Sequence, residues 1–203
     1  MNFELAAGQI VFRRELSELD RLVVRFAQIL DENRVSYVII SGYIAILFGR
    51  SRNTEDVDLF IEEMPFEKFE QFWKTLDAAG FECLNTSTAS SAYEDYLREK
   101  LAVRFAVKGT FIPNFELKFP KTTYNQYSLD HKIKVFLNDN LLYTSELELQ
   151  IAFKLKLGSP KDFEDARHLY NIFKEHLNQA LLKHQIRELA VEKEARRVLW
   201  KKD

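Results

Sequence analysis

The chain has 203 residues, of which 46% are hydrophobic and 30% are charged, a balance that excludes disordered and fibrous proteins. Its formal net charge of -2 excludes nucleic-acid binding driven by a general excess of positive charge. Cys83 is the only cysteine, which excludes an internal disulfide and a cysteine-based zinc site and indicates a reducing compartment. The first residues include Glu4 and no basic segment, and no apolar run is long enough to span a bilayer, so we expect a cytoplasmic, non-membrane protein.

The first element predicted along the chain is an amphipathic helix over residues 16–33, with apolar residues at helical spacing on one face. Residues 35–40 form a short β-branched apolar run, which predicts a buried strand. Ser41 and Gly42 then break the run where a helix over 43–48 can begin. The first N–H groups of a helix are unpaired and Gly42 permits close approach, so the sequence predicts a phosphate-binding turn here.

Asp56 and Asp58 open the next predicted strand, which covers residues 57–61 and follows a polar loop. Side chains two residues apart on a strand face the same way, with Cα atoms about 6.6 Å apart, so two carboxylates can converge on a hard cation. Such a pair is a Mg²⁺ site in outline. An Asp-x-Asp pair at a strand edge is also often a solvated turn, and the pair alone does not decide between the two interpretations.

The order of these features resembles the DNA polymerase beta-like nucleotidyltransferase superfamily, whose motif is an apolar residue, Gly-Gly or Gly-Ser, a short helical spacer and Asp-x-Asp or Asp-x-Glu. The run from Arg52 through Thr54, Asp56 and Asp58 to Leu59 is similar to the Arg-x-Thr/Ser-x-Asp-x-Asp-Leu run of the abortive-infection toxin branch. Ser41 departs from the family, which has glycine at that position. The resemblance implies an α+β fold, with a mixed β-sheet core flanked by helices over residues 1–144 and a C-terminal helical region over 145–203.

The following residues predict a helix over 65–79, a strand over 81–84 and a strand over 101–107. Between the two strands, Ser91 with Glu94 predicts a capping box for a short helix through Arg98. The polar residues 85–91 are interpreted as a mobile connection, and a lid over a nucleotide is the alternative.

A further strand is predicted over residues 111–119, in which Glu116 and Lys118 share one face and the aromatic residues share the other. In the resembled family an acidic residue on a later strand, usually Asp, joins the Asp pair. The resemblance therefore makes Glu116 the candidate third carboxylate, and an ordinary solvated strand face is the alternative.

Asp139 and Asn140 predict a hairpin turn between strands over 133–138 and 141–144. Basic and aromatic residues are mixed before it, as in surfaces that bind single-stranded nucleic acid: Lys118, Lys121, Tyr124, Tyr127, His131, Lys132 and Lys134. Because 17 Phe and 8 Tyr place aromatic residues throughout the chain, we interpret this segment as an ordinary surface.

Residues 145–157 give two conflicting signals. Alternating apolar residues favour a strand, whereas Ser145 with Glu148 as a capping box and Gly158 as a stop favour a helix. The resemblance decides for a helix, because Lys154, a glycine-containing turn and the run from Lys161 through Asp162 to Asp165 are similar to a second signature of the toxin branch. Helices over 162–173 and 178–201, the latter bent near Glu188, complete the chain.

The resemblance implies a Mg²⁺-dependent nucleotidyltransferase that moves a nucleoside monophosphate from a nucleoside triphosphate such as ATP to a hydroxyl acceptor. The implied metal ligands are Asp56, Asp58 and Glu116, which together with Lys154 are also the implied catalytic residues. The implied nucleotide-binding residues are Ser41, Gly42, Arg52, Thr54, Asp162 and Asp165. For Asp162 and Asp165 the alternatives are to orient Lys154, to bind the second substrate, or only to cap a helix and form ion pairs. The acceptor stays open among tRNA, a protein and a small molecule, and a toxin role is possible within the branch. A catalytically silent nucleotide-binding or antitoxin-like module of the same fold is the alternative, favoured by Ser41 and Glu116.

Overall fold

The computed structural model describes residues 3–6 and 8–200. Within these residues the strands form one nine-stranded sheet in the order β1-β2-β8-β9-β3-β4-β7-β6-β5. The strands are β1 Glu4–Ala6, β2 Gln9–Phe12, β3 Tyr37–Ile40, β4 Asp56–Ile61, β5 Phe81–Cys83, β6 Val103–Val107, β7 Asn114–Lys118, β8 Ile133–Leu137 and β9 Asn140–Thr144. The sheet is mixed, because β4 runs antiparallel to β3 and parallel to β7.

Helices separate and follow the strands, and the last four come after β9. They are α1 Glu18–Glu32, α2 Gly42–Leu47, α3 Phe66–Ala78, α4 Ala89–Ser91, α5 Thr123–Asp130, α6 Leu147–Leu157, α7 Pro160–Phe173, α8 Gln179–Glu188 and α9 Glu192–Val198. A π-helical segment, Ala92–Leu97, continues α4. The predicted α+β class, a mixed sheet flanked by helices with a helical C-terminal region, is confirmed. No helix in the described ranges is both long and apolar enough to cross a membrane.

The two faces of the central strands have different surroundings, as their alternating sequences require. On one face, Val57, Leu59 and Ile61 of β4 join the main core, and Phe26 of α1 stacks on Phe115 of β7 with ring centroids 3.9 Å apart. The other face of the sheet carries a small second cluster, in which Val38 and Phe60 pack against Leu129 of α5. Polar residues of this second face lie elsewhere on β4 and on the next two strands, β7 and β6.

Helix boundaries follow from local chemistry at several places. Ser17 and Asp20 form a capping box at the start of α1, and Thr122 and Asn125 form another at the start of α5. Gly158 ends α6 in the left-handed conformation with φ 75°, as predicted. The predicted bend near Glu188 is confirmed, since α8 ends there. Lys201, the predicted end of the last helix, lies outside the described residues.

Three predictions of caps and turns are wrong. Thr88, not Ser91, caps α4, because Ser91 already lies inside that helix. The hairpin turn is Asn138-Asp139 with φ of 49° and 69°, one residue earlier than predicted, and Asn140 begins β9. Asn138 is held there by its own amide, which bonds both the N–H and the carbonyl of Arg14.

The predicted capping box of Ser145 and Glu148 is the third wrong prediction. The helix begins one residue later with Glu146 as its N-cap residue and no side-chain cap. The hydroxyl of Ser145 instead donates to Oε1 of Gln150 at 3.2 Å. The helix itself, which the sequence left in conflict with a strand, is confirmed.

Candidate active site

Four adjacent strands place a row of side chains across the second face of the sheet. Ile40 on β3 pairs with Asp58 on β4, Asp58 pairs with Glu116 on β7, and Glu116 pairs with Arg104 on β6. Paired residues on neighbouring strands project to the same face, about 4.8 Å apart. The sheet thereby brings Glu116, which is distant in sequence, directly beside Asp58.

Lys118, two residues after Glu116 on the same face, lies between the two carboxylates. Its Nζ donates to Oδ1 of Asp58 at 2.9 Å and to Oε2 of Glu116 at 2.8 Å. The other oxygen of Glu116 accepts from Nε of Arg104 at 2.7 Å. Like charges directly opposite each other destabilise a sheet, and the ammonium group offsets that repulsion. Both oxygens of Glu116 are therefore paired with cations.

The ionisation of these groups follows from burial and from their partners. Burial raises the pKa of Asp58, and Lys118 offsets this only in part. Burial also raises the pKa of Glu116, but the hydrogen bonds from Lys118 and Arg104 outweigh it and hold the pKa below its usual value. Burial lowers the pKa of Lys118, yet attraction to the two carboxylates reverses this and leaves the pKa raised. Lys118 is therefore charged at neutral pH.

Asp56 lies two residues before Asp58, with its side chain on the same face of β4. The hydroxyl of Thr54 donates to the main-chain oxygen of Asp56 at 2.9 Å and fixes the start of the strand. No ion pair to Asp56 occurs within residues 3–6 and 8–200. We name the group Asp56, Asp58, Glu116, Lys118 and Arg104 the carboxylate edge.

Two residues of the carboxylate edge, Asp56 and Asp58, offer oxygen ligands that fit Mg²⁺. Mg²⁺ in nucleotide sites is commonly held by one or two carboxylates, with phosphate oxygens and waters as the remaining ligands. Asp56 and Asp58 are partly exposed and offer such oxygens. No three His, Cys, Asp or Glu side chains converge as a ready-made metal cage in the part of the chain that the structure describes. Glu116 as a metal ligand therefore stays a prediction.

The predicted phosphate turn lies at the end of β3, next to the carboxylate edge. Ser41 has φ 65° and ψ -133°, a conformation that residues other than glycine rarely adopt. Gln150 on α6 holds it on both sides: the N–H of Ser41 donates to Oε1 at 3.3 Å, and Nε2 donates to the carbonyl of Ser41 at 2.9 Å. The turn is thus tied directly to the helix that carries Lys154.

Arg52 packs closely against Gly42 at this turn. A Cβ atom at position 42 would lie 3.0 Å from Nη2 of Arg52 and 3.2 Å from its Cζ. The guanidinium therefore lies against the first residue of α2, where unpaired N–H groups also point. The predicted nucleotide-binding residues Ser41, Gly42 and Arg52 are brought together.

Arg52 belongs to a second group of charges around Asp165 of α7. Asp165 has no exposed surface and pairs with Arg50, with Arg52 and, at 3.0 Å, with Nζ of Lys154. Lys154 also donates to Asp162 at 2.8 Å. We name Arg50, Arg52, Lys154, Asp162 and Asp165 the cation cluster. Because Asp165 is fully buried among three cations, we assign it to positioning them, not to contact with a nucleotide.

Lys154 enters this cluster from α6 as the helical prediction requires. It is 2% exposed, whereas Lys156 is exposed, because two residues on a helix differ by about 200°. Burial lowers the pKa of Lys154, and Asp162 partly offsets this. Burial and the neighbouring Arg50 also lower the pKa of Arg52.

A cavity of about 180 Å³ connects the carboxylate edge and the cation cluster. Ser41, Asp58 and Lys154 line one part of it, and the apolar side chains Phe60 and Phe153 line another. Larger cavities occur elsewhere, one of about 390 Å³ beside β5, but that one touches neither group of charges. Three residues of the site were not predicted from the sequence: Lys118 as a partner of Asp58, Arg104 and Gln150.

The architecture matches solved nucleotidyltransferase structures. An antigenic nucleotidyltransferase-like protein from Paracoccidioides brasiliensis aligns over 91% of this chain and 93% of its own, with a TM-score of 0.56 at 20% identity. The antibiotic-resistance factor ANT(2'')-Ia aligns over 88% and 96%, with a TM-score of 0.55 at 11% identity. The lincosamide antibiotic adenylyltransferase LnuA aligns over 78% and 99%, with a TM-score of 0.50 at 12% identity.

These likenesses establish the fold: the chain has the architecture shared by nucleotidyltransferases. No protein-family model and no curated protein sequence matches the chain. The abortive-infection branch therefore stays a prediction.

Proposed function

We propose that the chain is a Mg²⁺-dependent nucleotidyltransferase, which transfers a nucleoside monophosphate from a nucleoside triphosphate to a hydroxyl acceptor. The observation that carries the proposal is the meeting of two groups at one cavity. The carboxylate edge comes from β4, β6 and β7, and the cation cluster comes from α6, α7 and the loop before β4. Their separation along the chain makes a chance solvated turn a poor explanation of Asp56 and Asp58.

In this proposal the triphosphate lies along the phosphate turn. Arg52 and Lys154 provide positive charge to its oxygens, and the first N–H groups of α2 add hydrogen-bond donors. Asp56 and Asp58 would hold Mg²⁺, which neutralises phosphate charge and positions the phosphate oxygens when bound.

The reaction forms a bond between the acceptor oxygen and the α-phosphorus and breaks the bond from that phosphorus to the pyrophosphate oxygen. Negative charge develops on the departing pyrophosphate. Arg52 and Lys154 are already fixed by Asp165 before the reaction, so they stabilise this charge without rearranging. The hydroxyl proton leaves to solvent or to a general base.

Three classes of acceptor are compatible with this donor half: a small molecule, a tRNA and a protein hydroxyl. The small-molecule class is supported by the neighbouring structures, which include ANT(2'')-Ia with adenylyl-2''-tobramycin and LnuA with lincomycin. A toxin-like role belongs to the protein and tRNA classes. Growth arrest on expression, relieved by Asp58→Asn, is the outcome expected of a toxin.

The proposal is tested with nucleoside triphosphates labelled at the α-phosphate, incubated with Mg²⁺ and each acceptor class in turn. We expect label on one class together with release of pyrophosphate. We also expect triphosphate binding to weaken strongly without a divalent cation, because Asp56 and Asp58 repel the phosphates. Equal calorimetric affinity with and without Mg²⁺ would contradict the metal site.

A catalytically silent nucleotide-binding or antitoxin-like module is the second candidate. It is favoured by Lys118, which pairs with Asp58 and Glu116, and by Ser41 in a conformation suited to glycine. Nucleotide binding without pyrophosphate release for any acceptor class would support this candidate over the enzyme.

A further inference from the structure

We propose that Lys118 is a built-in cation of the carboxylate edge and takes the place of one of two divalent metal ions. The inference deepens the proposed function and rests on it for its role in transfer. The wild-type chain has room for one divalent ion, held by Asp56 and Asp58, and the ammonium group of Lys118 fills the second ion-binding position.

The first observation that supports the proposal is that both carboxylate oxygens of Glu116 are paired with cations. A two-metal site holds its ions about 3.5–4 Å apart, so it needs carboxylate oxygens on both sides of the pair. One oxygen of Glu116 accepts from Lys118 at 2.8 Å and the other from Arg104 at 2.7 Å. Both oxygens already accept from a cation, so a second metal ion would compete with Lys118 and Arg104 for them.

The second observation is the position of the Lys118 ammonium group between two carboxylates. Nζ of Lys118 lies within 3 Å of an oxygen on each of two opposed carboxylates, 2.9 Å from Asp58 and 2.8 Å from Glu116. A lysine ammonium is a compact point charge with three donors, so it fits between two carboxylates as a single cation does. A metal ion bridging Asp58 and Glu116 would have to expel it.

The third observation is that the backbone pairing of β7 with β4 fixes where Lys118 lies. Lys118 and Glu116 lie two residues apart on the same face of β7, and β7 is hydrogen-bonded in register with β4. Sheet pairing therefore sets the position from which the lysine reaches both acids. Its side chain is 28% exposed, so the cation is part of the open wall of the site rather than of the core.

Asp56, unlike Asp58 and Glu116, has no ion pair to its carboxylate within the described ranges. Its nearest polar side-chain partner in the described ranges is the hydroxyl of Thr54, at 3.4 Å from Oδ1. Lys118 contacts only Oδ1 of Asp58, so Oδ2 of Asp58 also remains open. The oxygens without a cation partner in the described ranges thus belong to Asp56 and Asp58, not to Glu116.

The test counts Mn²⁺ ions bound per folded chain by electron paramagnetic resonance, with Mn²⁺ alone as the probe. We expect Lys118→Met to bind one Mn²⁺ more than the wild-type chain. Lys118→Arg, which keeps a cation, and Lys121→Met, which removes an exposed lysine, should show no gain. Adding Glu116→Gln to Lys118→Met should abolish the gain, because the vacated position needs that carboxylate.

An equal count for the wild-type chain and Lys118→Met overturns the proposal, as does a gain that survives Glu116→Gln. A readout free of variants guards against a Lys118→Met chain that does not fold. The wild-type chain with the α,β-methylene analogue of ATP should bind one Mn²⁺, and two ions overturn the proposal. Failure of the α,β-methylene analogues of ATP, GTP, CTP and UTP to bind would instead contradict the proposed function, while the Mn²⁺ counts without nucleotide still decide the role of Lys118.

Discussion

In the cation cluster one carboxylate is buried among three cations, whereas at the carboxylate edge one ammonium lies between two carboxylates. Both arrangements satisfy the requirement that a charge removed from water has a partner. They differ in what solvent and ligands can reach. Asp165 has no exposed surface, whereas the side chain of Lys118 is 28% exposed.

This difference assigns separate tasks to the two halves of the site. The positive charges of the cation cluster are fixed from within, so they are in place before a ligand arrives. The negative charges of the carboxylate edge are neutralised from the open side, where Lys118 pairs with Asp58 and Glu116. Substitutions in the two halves should therefore separate activity from stability in different ways.

The largest expected effect is that of Asp58→Asn on transfer. The substitution removes a carboxylate charge from the proposed metal site and also removes repulsion between Asp58, Asp56 and Glu116. We expect transfer to fall by about 10³-fold or more, while the unfolding midpoint stays nearly unchanged. Pyrophosphate release and thermal unfolding measure the two quantities.

The matched control is Glu55→Gln, which removes an exposed carboxylate next to Asp56 and should leave both quantities unchanged. An Asp58→Asn chain that unfolds would show that Asp58 stabilises the sheet and is not a ligand.

The second effect is on stability and concerns the other half of the site. Asp165→Asn leaves Arg50, Arg52 and Lys154 crowded around a neutral group, and removing one partner of buried charges costs about 3 kcal/mol or more. We expect the free energy of unfolding, measured by denaturant titration, to fall by that amount. Glu164→Gln is the control, because Glu164 is exposed and pairs with Arg50 at the surface, where such a pair contributes about 1 kcal/mol or less. Equal losses in the free energy of unfolding for the two variants would contradict the assignment of Asp165 as the group that holds the three cations in place.

A third prediction compares two lysines of one helix. Lys154→Ala removes a buried point charge from the cation cluster, and transfer should fall by about 10²-fold. Lys156 is exposed on the other side of α6, and Lys156→Ala should change transfer little. Steady-state rates for the two variants decide, and similar losses would place the functional charge elsewhere than at Lys154.

A clear apolar repeat predicted some elements correctly, whereas α6 was predicted from the resemblance against its own alternating pattern. The apolar stripe of α1 and the alternation of β7 each name the buried face without knowledge of the partner. The strands β1 and β2 are short and were missed. Helix α5 was missed because its apolar residues form no stripe; only Ser128 and Leu129 of it are buried.

The residues of the candidate site also divide into those that the sequence predicted and those that it did not. Ser41, Gly42, Asp56 and Asp58 lie in one short stretch, so a motif predicts their proximity. That Lys118 contacts Asp58 depends on the register between β4 and β7, which is a property of the folded sheet and not of either strand. Gln150 gave no local signal beyond a polar residue in an apolar segment, because its partner is a backbone turn on another element.

The smallest expected effect tests the turn that joins the two halves of the site. Ser41 has φ 65°, and Gln150 binds it to the helix that supplies Lys154. A side chain in this conformation costs about 1–3 kcal/mol, and glycine relieves that cost while it loses about 0.5–1 kcal/mol through greater freedom in the unfolded chain. Ser41→Gly should therefore raise the free energy of unfolding by about 1 kcal/mol.

Ser41→Ala separates the two possible causes of such a gain. Alanine keeps the Cβ atom and loses only the hydroxyl, which makes no capping hydrogen bond to α2, so its stability should equal that of the wild-type chain. A gain for glycine alone identifies the strained backbone as the cause, whereas equal gains for glycine and alanine would identify the hydroxyl. If transfer by Ser41→Gly also stays at the wild-type rate, the strain serves neither half of the site, and the departure from glycine ceases to support a silent module.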